Sequence, residues 1–218
     1  MKIALIFGSS GLIGNQLLKI IYESKKYSKI KIFVRSKPKV IDPNIEIIYT
    51  DFLNIKNNKE KIVGDDCFFC IGTTKKNTPN NKEYKRIEYE IPVEVAQIAK
   101  SNSVNSFYYV SSLGANTNSS GLYLKYKGQV EEVLKNLDFS KLSIIRPSIL
   151  LGPRDEIRIG EKLGKLVMQI MSPLFIGSLK KYKPIQSAVV AKSILKISQN
   201  NYKNVIFESD KLQEIGNE

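Results

Sequence analysis

Tyr123 and Lys127 are the residues of this chain whose types and spacing point most directly to chemistry. Four residues on a helix is about one turn, so both side chains share a face. A free phenol ionises near pH ~10, too high for proton transfer at neutral pH. An ammonium beside it favours the phenolate and lowers that value. Such a pair can give a proton to an oxygen or take one away. Upstream stand Ser111 and Ser112, and a serine hydroxyl can hold that oxygen. The chain has no histidine. That removes Ser-His-Asp and Cys-His catalysis and the commonest metal ligand, and no metal is expected. Tyr-x-x-x-Lys arises easily in a chain with 11 Tyr and many Lys, as the neighbouring Lys125 and Tyr126 show. The pair gains weight only from the elements that hold it.

Those elements begin at the N-terminus. Lys2 to Phe7 is a near-continuous apolar run, followed by Gly8-Ser9-Ser10-Gly11-Leu12-Ile13-Gly14 and a helical pattern from about Leu12 to Ser24. A strand, a glycine turn and a helix in that order form a pyrophosphate-binding device. The glycines allow a tight turn and a close backbone approach, and the helix N-terminus offers free N–H groups and a positive dipole end. Further strands are predicted at Lys29–Val34, Ile45–Thr50, Asp66–Ile71, Ser106–Val110 and Leu142–Ile145. Helices are predicted at Asn81–Ser101 and Leu122–Leu137, with Ile87, Ile91, Val95 and Ile98 at helical spacing in the first. This alternation predicts an α/β fold, a doubly wound parallel sheet of the Rossmann type. The C-terminal third is less regular, with helices expected at Arg158–Met171 and Gln186–Gln199 and a short edge strand at Val205–Glu208. The expected organisation is one nucleotide-binding domain over residues 1–218, with residues from about 150 onward forming a small irregular substrate-side lobe.

The end of strand two discriminates between dinucleotides. A carboxylate there binds the ribose 2′-hydroxyl of NAD; here Arg35, Ser36 and Lys37 stand in its place. A guanidinium grips a 2′-phosphate through paired hydrogen bonds, so NADP(H) is expected in preference to NAD(H). Asp51, after strand three, is either an acceptor for the adenine amino group or a helix cap or turn residue. Ile71-Gly72-Thr73 leaves strand four on the edge that faces a cofactor.

With the glycine turn, the serines after strand five and Tyr-x-x-x-Lys on the next helix, the chain resembles the short-chain dehydrogenase/reductase superfamily. Four segments narrow the resemblance. They are Cys70-Ile-Gly-Thr-Thr74, Val110-Ser-Ser-Leu-Gly-Ala115, Tyr123-Leu-Lys-Tyr-Lys-Gly-Gln-Val-Glu131 and Arg146-Pro-Ser-Ile-Leu-Leu-Gly-Pro-Arg154. They are similar to the atypical NAD(P)-binding branch of Tat-interacting oxidoreductases (TIP30-like proteins), over about residues 1 to 160. The resemblance implies Tyr123 as general acid/base, Lys127 as its tuning group and a donor to the nicotinamide ribose, and Ser112, rather than Ser111, as the substrate-orienting hydroxyl. It also implies backbone contact from Leu150 at the nicotinamide end and approach of Arg158 to the phosphates. The similarity fades after about residue 165. Met168, Met171, Phe175 and Tyr182 beyond it are more readily core residues than the lining of a substrate cleft.

Composition bounds the rest. Lys and Arg number 34 against 21 Asp and Glu, a net charge of +13. The excess is mostly lysine spread along the chain, and no groove-reading motif accompanies it, so nucleic acid is not an expected partner. No apolar run approaches the ~20 residues of a membrane span, and the start does not read as a secretory signal; no membrane partner and a cytoplasmic location are expected. Cys67 and Cys70 lie three apart on a predicted strand, on opposite faces and ~10 Å apart along it, too far for a disulfide. Three functions are compatible with this reading. The first is an NADPH-dependent reductase of a small carbonyl compound, monomeric or homodimeric. The second is an NADP(H)-holding regulator, redox sensor or assembly factor with little turnover. The third, a sugar-nucleotide epimerase with tightly held NAD, is disfavoured by Arg35 and the short C-terminal part.

Overall fold

Alternation along the central strands gives two cores. In β1 (Lys2–Phe7), Ala4 and Ile6 point to one face and Leu5 and Phe7 to the other, all four fully buried. A strand apolar on both faces must be covered on both, as parallel sheets are. The computed structural model, which describes residues 2–38, 42–152, 177–203 and 205–218, shows this double covering. β1 pairs in parallel with β2 (Tyr27–Val34) and β4 (Asp66–Phe69). β3 (Ile45–Tyr49) flanks β2, while β5 (Ser106–Val110) and β6 (Lys141–Arg146) follow β4. The short strand β9 (Ile206–Glu208) closes the far edge, giving the order β3-β2-β1-β4-β5-β6-β9 with every pairing parallel. The chain therefore has the expected Rossmann-like architecture. Strand order reverses between β1 and β4, the crevice where such sheets bind ligands.

One face is covered by α1 (Leu12–Ser24), α5 (Ser187–Gln199) and α6 (Ser209–Asn217). Leu17, Ile21, Val190, Ile194, Leu212 and Ile215 there meet Ile6, Ile32, Phe68, Tyr108 and Phe207 of the sheet. The other face is covered by α3 (Ile91–Ser101) and α4 (Leu122–Asn136). Val95, Ala99, Val130 and Leu134 pack there on Phe7, Phe33, Phe69, Phe107 and Tyr109. Phe7 and Phe33 stack with centroids 4.2 Å apart. Cys67 belongs to this second core and Cys70 packs against the first, as opposite strand faces require. Both thiols are free, and burial pushes Cys70 up to about 12.

Most boundaries lie within a residue or two of those expected. β4 stops at Phe69 rather than Ile71, because the backbone of Cys70 and Ile71 bends around Gly8. The expected helix over 81–101 is continuous but not uniform. α2 (Asn81–Lys85) passes through a π-helical turn at Arg86–Glu90 before α3. A two-residue pair, β7 (Leu150–Leu151) with β8 (Ile185–Gln186), is too short to carry a sequence signal. The helix expected at 158–171 lies outside the described residues.

Candidate active site

The glycine turn closes on itself. Gly8 adopts φ +86°, and a Cβ built on it would lie 2.8 Å from the backbone of Cys70 and Ile71. A Cβ on Gly14 would stand 2.1 Å from the Gly8 carbonyl oxygen. Neither position admits a side chain, so the turn holds β1, α1 and the exit of β4 within backbone contact. The Gly11 N–H donates to the Gly8 carbonyl at 3.0 Å. Gly11 caps α1 without a side-chain bond, and no acidic residue stands in the first turn. The N–H groups of Leu12, Ile13 and Gly14 and the helix dipole are thus left for an anion. Ser9 is buried and Ser10 exposed at the rim. These residues fit a dinucleotide pyrophosphate.

Arg35 and Ser36 are exposed at the end of β2. Arg35 lines a cleft of about 380 Å³ together with Tyr49, Thr50, Asp51, Asn54, Asn57 and Asn58. Asp51 serves as a turn residue: its Oδ1 accepts the Asn54 N–H at 2.9 Å and holds the carboxyl below its ordinary value. It also borders the cleft.

The segment Ile71-Gly72-Thr73 runs from the glycine turn toward α4. The Thr73 N–H donates to Glu88 Oε1 at 2.5 Å, and the Thr73 and Thr78 hydroxyls are 2.9 Å apart. Glu88 lies in the π-helical turn and is fully buried. Its Oε2 is 3.2 Å from the Lys127 ammonium. Lys127, only 3% exposed, also donates to the Val110 carbonyl at 3.2 Å, and its ammonium lies 5.8 Å from the Tyr123 ring centroid. Burial works against the charge of Lys127, but the Glu88 carboxylate, together with Tyr109 and Tyr123, outweighs it and holds the ammonium well above the ordinary lysine value. Tyr123 is 38% exposed, facing out from the first turn of α4. Lys125, by contrast, is exposed, and Tyr126 packs between Tyr84 and Tyr89. Of the lysines on this turn, Lys127 is the one drawn into the site.

The two serines separate by environment. Ser111 is buried, and its hydroxyl donates to Glu131 Oε1 at 2.5 Å. Arg146 Nε also donates to that oxygen at 2.9 Å, and its Nη2 pairs with Glu131 Oε2. Ser112 is half-buried, and among the described residues its hydroxyl makes only a long 3.4 Å contact to the Leu113 carbonyl. Ser111 is therefore committed to the framework, whereas Ser112 has no comparable partner among the described residues. Arg146→Met would leave the buried Glu131 carboxylate unpaired. It is expected to destabilise the fold by about 3–5 kcal/mol in urea unfolding, with a shift in midpoint and an unchanged slope.

Leu150 is half-buried in β7, opposite Ile185, and packs on the first core. Arg158, Met168, Met171 and Phe175 lie outside the described residues; Tyr182 is exposed. Glu88, Glu131 and Gly128 are site residues that motif reading misses. A Cβ on Gly128 would lie 2.5 Å from the Asn116 backbone, so this glycine lets α4 press against the loop after β5 and seats its neighbour Lys127. Spacing carries the signal for the two acids. Glu88 falls in line with Tyr84, Ile91, Val95 and Ala99, and Glu131 with Lys127, Val130 and Leu134, so each is a carboxylate on an otherwise apolar or buried face.

Comparison with known proteins agrees with the fold. The model of a family described as NAD(P)H-binding matches residues 8–170, from the glycine turn onward. The chain belongs to that family. The resemblance to the Tat-interacting branch also holds: protein HTATIP2 of Rattus norvegicus is 31% identical over 92% of this chain and 81% of its own. The mitochondrial protein FMP52-1 of Scheffersomyces stipitis is 34% identical over 91% of this chain and 89% of its own. Among solved structures, a UDP-N-acetylglucosamine 4-epimerase from Methanobrevibacter ruminantium superposes with a TM-score of 0.69 at 15% identity, over 98% of this chain and 80% of that one. The Bordetella bronchiseptica enzyme WbmH, solved with NAD+, gives 0.68 at 14% identity, over 100% and 80%. At such identities the likeness is one of fold. The expected cytoplasmic location does not stand, because the FMP52 relatives are named mitochondrial. It rested on the lack of a secretory signal and of an apolar span, and neither feature tests for a mitochondrial address. Within the described residues, no helix is long and apolar enough to cross a membrane.

Proposed function

We propose that this family member is an NADPH-dependent oxidoreductase that reduces a small carbonyl compound, of short-chain dehydrogenase type. The observation that carries the reading is the buried Lys127 ammonium beside Tyr123, with Ser112 left available and Ser111 committed elsewhere. A bound reduced nicotinamide supplies hydride. The chain supplies the rest. Ser112 orients the carbonyl oxygen, the Tyr123 hydroxyl gives it a proton, and Lys127 steadies the phenolate left behind. Gly8 to Gly14 and the N-terminus of α1 take the pyrophosphate, Ile71 to Thr73 pass the ribose, and Leu150 borders the nicotinamide end. Purified protein is expected to oxidise NADPH with at least one member of a panel of aldehydes, ketones and quinones. Tight NADPH binding without oxidation by any of them would favour the alternative, an NADP(H)-binding regulator.

The preference for NADP(H) rests on Arg35 at the mouth of the cleft. A charge-assisted hydrogen bond to phosphate contributes about 1.5–3 kcal/mol. Arg35→Ala is therefore expected to weaken NADPH binding by roughly 10- to 100-fold and to leave NADH binding nearly unchanged in parallel titrations. Equal losses for both cofactors would remove the 2′-phosphate role.

A further inference from the structure

We propose that Glu88 is a positioning residue for the site, holding the Lys127 ammonium at the cofactor edge and tying the loop of Gly72 and Thr73 to it through one buried carboxylate. The inference rests on the reading of Lys127 as a cofactor and proton-transfer residue. It adds a component that neither the glycine turn nor the Ser-Tyr-Lys set contains.

Three observations carry it. Each carboxylate oxygen of Glu88 has a different partner: Oε1 accepts the Thr73 N–H, and Oε2 meets the Lys127 ammonium at 3.2 Å. Oε2 makes no hydrogen bond of good geometry within the described residues, so the ion pair is its whole compensation for burial. The pair stands at the cofactor edge and not deep in the core. A Cβ on exposed Gly72 would come within 3.5 Å of Glu88 Oε1 and 3.9 Å of the Lys127 ammonium. The π-helical turn supplies the third observation. An inserted residue of this kind re-aims side chains and is common at functional sites, and here Glu88 sits at the middle of the turn, Arg86–Glu90.

Stability alone does not call for such a pair. Replacing a buried ion pair by apolar residues is often neutral or stabilising, whereas removing one partner is costly. A carboxylate in this place has a functional consequence instead. Lys127 is buried, and without a counter-charge a buried lysine loses its proton readily. The other titratable groups facing Lys127 are Tyr84 from α2, Cys70 from the end of β4, Tyr109 from β5 and Tyr123 from α4. Burial raises Tyr84, Cys70 and Tyr109 still further above the neutral range. Glu88 is the carboxylate that keeps Lys127 charged when it must donate to the ribose and stabilise the phenolate.

The test is NADPH binding by the full chain from pH 7 to 9.5, read by the fluorescence of the reduced nicotinamide, for wild type, E88Q and E88Q/K127M. E88Q keeps an acceptor for the Thr73 N–H and removes only the charge. Wild-type affinity is expected to stay flat across this range. E88Q is expected to bind more weakly than wild type at pH 7 and to lose about a further tenfold or more by pH 9.5, as Lys127 gives up its proton. E88Q/K127M, with no lysine to titrate, is expected to bind weakly with no such slope. An E88Q profile parallel to wild type overturns the proposal and leaves the cofactor site intact. No NADPH binding by wild type overturns the cofactor reading, and the inference with it. If E88Q does not fold, recovery of the fold in E88Q/K127M supports the charge pairing. A double variant as unstable as E88Q overturns it.

Discussion

Tyr123→Phe is expected to lower kcat/KM for NADPH-dependent carbonyl reduction by ~10²–10⁴-fold and to leave NADPH affinity unchanged. The variant removes one hydroxyl from a half-exposed ring at the start of α4. The hydroxyl is the proton donor in the proposed chemistry, and among the described residues it makes no hydrogen bond on which the turn, the cleft or the two cores depend. Steady-state kinetics and a cofactor titration on the same preparation separate the two quantities. Turnover that survives the substitution would remove Tyr123 from the mechanism. Lys127→Met is the less informative variant. It strands the buried Glu88 carboxylate, at a cost of about 3–5 kcal/mol, and mixes instability with lost chemistry. Serine variants carry the same contrast. Ser112→Ala is expected to raise KM and lower kcat with little change in stability. Ser111→Ala instead disturbs the Glu131–Arg146 network.

Gly14→Ala is expected to damage both the fold and the cofactor site. Its new Cβ would stand 2.1 Å from the Gly8 carbonyl oxygen, with the backbone of Gly8 and Ser9 behind it. Backbone cannot swing away as a flexible side chain does, so α1 must shift relative to β1. Overpacking of this kind costs on the order of 3 kcal/mol and lowers Tm by roughly 6–12 °C. NADPH binding is expected to weaken at least about tenfold, because the N–H groups of α1 no longer converge on one point. Gly11→Ala is the control. Its Cβ would sit 3.3 Å from the same oxygen, a contact that small adjustments relieve, so the fold is expected to hold. Equal thermal stability for Gly14→Ala and wild type, by calorimetry, would contradict the packing account of the turn.

The parts of this site that were legible in the sequence are those written in short-range pattern. The run Lys2–Phe7 is apolar at every position after the first, so β1 had to be buried on both faces, and three glycines directly after it had to make a turn. Tyr123 and Lys127 share a helical face because α4 is regular where they lie. Glu88 was not legible as a partner of Lys127, because nearly forty residues and the whole of β5 separate them. Only the sheet order, with β4 beside β5, brings their elements together. Ser111 and Ser112 are adjacent in sequence and opposite in use. What separates them is Glu131, a turn further along α4 than Lys127, and Arg146 from β6. The pairing of β7 with β8 spans two residues on each side and depends on contacts thirty-five positions apart.

The most direct test of the account is a titration of the purified chain with NADPH and with NADH under the same conditions, following reduced-nicotinamide fluorescence. The account predicts saturable one-to-one binding of both, with NADPH tighter by at least about tenfold and the difference abolished in Arg35→Ala. Absence of saturable binding by either cofactor, or NADH affinity equal to or better than that of NADPH, would contradict it.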